Sequence, residues 1–109
     1  MVRTDLGMTR GKICSQAAHA VLGLYTELRD EVALAIWGSL DYAQVYLEAG
    51  SAEQLYQAQA AAKAKGVTAY TVHDAGRTQI APMTATVCAI GPVSGSQVLE
   101  IVKDPKILQ

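Results

Sequence analysis

Lys12, Gln16 and His19 follow one another at spacings of four and three residues in the stretch GMTRGKICSQAAHA. At about 100° per residue, a helix would hold them, with Gly23 beyond, within about 60° of one another. The stripe offers a lysine, an amide and an imidazole in a row. Lys12 would supply a cation to a phosphate or a developing oxyanion, and His19 a contact to substrate. The plainer readings are a solvated lysine and a structural histidine. A second polar group follows in HDAGRTQIAP and TATVCAI. Asp74 either caps a glycine turn or orients and deprotonates water. Arg77 meets a carboxylate or a phosphate. Thr78 and Thr86 are ordinary strand residues, or hydroxyls that position substrate or water.

Gly7, Gly11 and Lys12 look like a phosphate-cradling loop, but the pattern fails. Only three residues, 8–10, separate the glycines, where the P-loop needs four. Ile13 also stands where a magnesium-binding hydroxyl is required. Two cysteines and two histidines at unrelated spacings do not make a zinc site, and no Ser-His-Asp order stands out. A net charge of −1 makes the whole chain no magnet for nucleic acid. A nucleic-acid partner would need a local patch, which Arg3, Arg10, Lys12 and Arg77 form if the fold gathers them.

These groups need a scaffold. The 109 residues suit one domain over 1–109 with a single core, and half of them are hydrophobic, which argues against disorder. No apolar run is long enough to cross a bilayer, and no signal peptide is visible. Cys14 and Cys88 read as free thiols in a reducing, cytoplasmic setting; an organelle-directing extension upstream stays compatible with the sequence. So does a homodimer.

The pattern predicts strands over 2–6, 44–49, 67–72 and 84–90, and helices over 11–29, 31–40, from Ser51 to Gly66, and from Ser94 to about Val102. Ser51 with Gln54, and Ser94 with Gln97, have capping-box spacing. Residues 73–82 read as a loop. Strands alternating with helices imply a layered α/β domain. The third and fourth strands lack a helix between them, which favours antiparallel neighbours in a mixed sheet. The C-terminal ends of the first and third strands then meet the start of the fourth on one rim. Lys12, Asp74 and Thr86 are expected there in a solvent-open pocket.

GKICSQAAHA, DAGRTQIAP and TATVCAIGP together resemble the type II peptidyl-tRNA hydrolase family, the archaeal and eukaryotic type, and the resemblance runs nearly end to end. It implies a three-layer α/β/α fold on a four-stranded mixed sheet, with one strand antiparallel and the order 2-1-4-3. It implies hydrolysis of the ester joining a peptide to the 3′ end of tRNA, with no metal or organic cofactor. Active-site positions carry over to Lys12, His19, Asp74, Thr78 and Thr86, with Arg10, Gln16 and Arg77 toward substrate. The chain departs from the family pattern in three places. Apolar residues usually precede Val2-Arg3, so the first strand is expected to be short or the chain trimmed. Gln44 stands where lysine is usual, which removes a tRNA-backbone contact. Met83 stands where glycine is common, so a differently shaped turn is expected. The competing readings are a catalytically silent RNA- or protein-binding module of the same fold, and a nucleotide binder built on Gly11-Lys12.

Overall fold

The computed structural model describes residues 1–74 and 83–109. Helix α1 (Arg10–Glu27) starts one residue earlier than its periodicity predicts. Thr9 is the reason: its Oγ1 accepts the Lys12 backbone N–H at 3.2 Å and caps the helix. The other elements are β1 (Val2–Arg3), α2 (Glu31–Ser39), β2 (Glu48–Ala49), α3 (Ala52–Ala64), β3 (Ala69–Asp74), β4 (Thr84–Ile90) and α4 (Gly95–Ile101). The four strands form one sheet in the order β2-β1-β4-β3. β1 and β2 are parallel, while β4 runs antiparallel to both of its neighbours.

The differences from the sequence expectations are local. β1 stops at Arg3, before a bend and Gly7 at φ +67°. β2 shrinks to Glu48–Ala49, because its approach joins the C-terminal tail instead: Leu47 bridges Ile107 and Glu48 N–H donates to the Lys106 carbonyl at 2.8 Å. β3 is displaced toward its C-terminus, so His73 and Asp74 complete a strand rather than begin a loop. Ser94 and Gln97 make a complete capping box. At α3 only half of the expected box forms. Ser51 accepts the Gln54 N–H, but the Gln54 side chain takes the Gly50 N–H at 2.7 Å.

Helices cover both faces of the sheet. α3 and α4 close one face over Leu55, Ala58, Ala62, Ala85, Cys88, Ile101 and their neighbours. The alanines of α3 let its backbone lie close to the strands. Burial pushes the Cys88 thiol up from its ordinary range, whereas Cys14 is exposed. Leu55 is the largest fully buried side chain there. Leu55→Ala is expected to lower the unfolding free energy by about 3 kcal/mol, read from urea titration. On the other face α1 packs Ala20 against Val2, Val72 and Val87. α2 departs from the usual amphipathic pattern: it is strongly apolar, yet none of its residues is buried, and Val32 and Ile36 are largely exposed.

One irregularity matters for the site. Val72 pairs with Val87 and His73 with Ala85, which leaves Thr86 as an extra residue in β4. This β-bulge breaks strict alternation, so Thr86 and Val87 both face α1.

Candidate active site

The stripe on α1 runs along the sheet, and its four residues meet Asp74, Thr86 and Tyr70. Lys12 Nζ donates to Asp74 Oδ1 at 2.7 Å. One turn on, Gln16 Oε1 accepts the Thr86 hydroxyl at 2.6 Å. His19 follows with its ring 6.5 Å from that of Tyr70. Gly23 sits over the same ring, so close that a Cβ there would lie 2.2 Å from Tyr70 Cε1. The missing side chain thus lets the helix approach β3.

Lys12 and Asp74 come from segments sixty-two residues apart. A cation in the first turn of a helix opposes the helix dipole. The Asp74 carboxylate answers that repulsion, since it is attracted both to the ammonium and to the positive helix end. The pair is more enclosed than a solvent-open pocket: its side chains are 9% and 5% exposed. Thr86 is fully buried and Gln16 nearly so. Together these groups make a fixed charge pair beside a fixed amide-hydroxyl pair, at the rim where β3 ends and β4 begins. Such an arrangement can hold water against a carboxylate and support negative charge nearby. None of the four residues lines the apolar cavity of about 220 Å³, which is bordered by Met1, Leu24, Trp37 and Ile90.

The family described as Peptidyl-tRNA hydrolase PTH2 matches residues 1–108. The chain belongs to this family. It is 44% identical over 109 residues to the probable peptidyl-tRNA hydrolase 2 of Schizosaccharomyces pombe, covering 98% of this chain and 53% of the relative. With the peptidyl-tRNA hydrolase of Halobacterium salinarum it shares 40% over 102 residues, covering 94% and 90%. The human protein named peptidyl-tRNA hydrolase 2, mitochondrial, is 39% identical over 94 residues, covering 84% and 52%. The chain therefore spans about half the length of two of these PTH2 relatives and nearly all of the third.

Of the site residues expected from sequence, the structure brings Lys12, Gln16, Asp74 and Thr86 together. His19 and Arg10 lie exposed on the same helix, and no hydrogen bond joins the His19 ring to the described residues. Arg77 and Thr78 lie outside the described residues. Arg3 does not join a free basic patch. Its guanidinium donates to Asp5 at 3.0 and 2.6 Å and to the Ala85 carbonyl at 3.1 Å. The bond to Asp5 raises the Arg3 pKa and holds the Asp5 carboxyl below its ordinary range. The turn before Met83 lies outside the described residues, but Met83 itself is placed. It adopts φ +62° and donates its N–H to the Asp74 carbonyl at 2.6 Å. A methionine here carries a left-handed conformation that glycine would take more easily, at a cost of roughly 1 kcal/mol.

The site contains features the sequence reading lacked. Thr9 as the cap that orients Lys12 was signalled by a threonine just ahead of the helical pattern. The bulge at Thr86 carried no such signal.

Proposed function

We propose that this chain hydrolyses the ester between a peptide and the 3′ end of tRNA. The observation that carries the reading is the enclosed 2.7 Å pair of Lys12 and Asp74 at the strand rim, in a chain of the PTH2 family. Water attacks the ester carbonyl carbon, and the bond to the ribose oxygen breaks. A peptide carboxylic acid and a free 3′-hydroxyl result. An aminoacyl ester is already activated, so held water and support for the oxyanion suffice without a serine nucleophile.

In this reading Asp74 orients the water and takes its proton. One of the three N–H groups of Lys12 fixes Asp74, and the others are available to phosphate or developing negative charge. Arg10 and His19, exposed on α1, contact substrate, and Arg77 and Thr78 are assigned the same side of the reaction. No metal or organic cofactor enters this scheme. Peptidyl-tRNA is the partner, and among the described residues no helix is long and apolar enough to cross a membrane.

The test is incubation with an N-blocked aminoacyl-tRNA in the presence of EDTA, scoring free tRNA. Multiple-turnover release is expected. Binding without release would favour the silent module.

A further inference from the structure

The Thr86 hydroxyl has one proton and two acceptors within reach, Gln16 Oε1 at 2.6 Å and the Val72 carbonyl at 3.4 Å. The nearer takes it. In this arrangement the Gln16 amide sits with its oxygen on Thr86 and its NH2 turned away from that bond. The NH2 has no hydrogen-bond partner among the described residues, and Gln16 keeps 7% of its surface exposed. Lys12 lies one turn before Gln16 on the same face, which sets the amide donor beside the Lys12–Asp74 pair. Thr86 itself reaches nothing outside the protein, since it is fully buried. It stands where it does because it is the bulged residue of β4.

We infer that Gln16, through its Nε2, donates a hydrogen bond to the ester carbonyl oxygen as negative charge develops there, and that Thr86 is a positioning residue that holds the amide in the donating orientation. This rests on the hydrolase reading above. It moves Thr86 from a group that touches substrate to one that acts through Gln16. A buried hydroxyl that holds an amide in one orientation costs no reorganisation during the reaction, which is the condition for effective oxyanion support.

The experiment is a double-mutant cycle on N-blocked aminoacyl-tRNA, with kcat and KM measured separately and folding checked by thermal melting. Gln16→Met removes the donor at similar length, and kcat is expected to fall roughly 100-fold with KM little changed. Thr86→Val removes only the hydroxyl, and kcat is expected to fall roughly 10-fold as the amide loses its orientation. Thr86→Ser restores the hydroxyl and is expected to restore kcat. In the Gln16→Met background, Thr86→Val is expected to cost nothing further, because the group it positions is gone.

An equal cost in both backgrounds would mean that Thr86 acts on substrate directly, and would overturn the inference. So would wild-type kcat in Gln16→Met, or a Thr86→Ser variant as impaired as Thr86→Val. Should Thr86→Val not fold, Gln16→Met alone decides. A wild-type chain that releases no tRNA removes the hydrolase reading itself. An active wild type with a flat cycle removes only the roles given to Gln16 and Thr86.

Discussion

Asp74→Asn is expected to lower kcat for N-blocked aminoacyl-tRNA by roughly 100- to 1000-fold, the range for losing a positioned general base. Asparagine is the informative replacement because it separates two readings of the same residue. If Asp74 served only to cap the turn that follows it, an asparagine would cap about as well, since its side-chain oxygen accepts the same backbone N–H bonds. Activity would then survive. If the carboxylate holds and deprotonates water, asparagine keeps the shape and loses the chemistry. Asp74 is 5% exposed on its side chain and bonded to Lys12, so it is not a solvated surface acid that happens to follow a strand. The variant must be shown folded by circular dichroism at the assay temperature. A folded Asp74→Asn with unchanged kcat would remove Asp74 from the reaction.

What could be read before any coordinates depended on how local the signal was. The stripe of Lys12, Gln16, His19 and Gly23 follows from helical spacing alone; that Lys12, Gln16 and Gly23 on it meet the sheet, with His19 left exposed, does not. β4 was legible to the residue because its apolar run is long and bounded by Gly91-Pro92. Its central place followed from its few polar atoms, and the antiparallel pairing with β3 from the missing helix between them. β1 and β2 were overdrawn, since two-residue strands have too few positions to show a period, and the tail that pairs with Leu47 and Glu48 is distant in sequence. The bulge was hidden for a related reason. In TATVCAI no glycine or proline marks an extra residue, so strict alternation places Val87 on the face opposite Thr86. The register shift turns it to the same face and leaves Cys88 in the other core. The exposure of α2 was equally invisible, because apolar composition states what a segment would bury and not whether anything lies over it.

Lys12→Met is expected to lower the unfolding free energy by about 3 kcal/mol, and with it the activity. Methionine keeps the length and packing of the lysine stem and is a good helix former, so the change isolates the ammonium. Without it, the buried Asp74 carboxylate loses the 2.7 Å contact with a cation that helps to compensate its removal from water. The magnitude follows from enclosure: at 9% and 5% exposure the pair is poorly screened, unlike the surface pair of Lys65 and Glu100, at 44% and 59%. The same argument predicts a recovery. In Lys12→Met/Asp74→Asn the buried charge that lost its lysine is gone, so urea titration should return most of the lost stability although the protein is now inactive. The double variant should therefore be more stable than Lys12→Met alone, and slower than wild type by no more than the worse single change. Stability losses that simply add would show that the two groups do not act on each other energetically. The recovery, if found, would mean that the ion pair is kept for its chemistry, since a neutral pair holds the fold nearly as well.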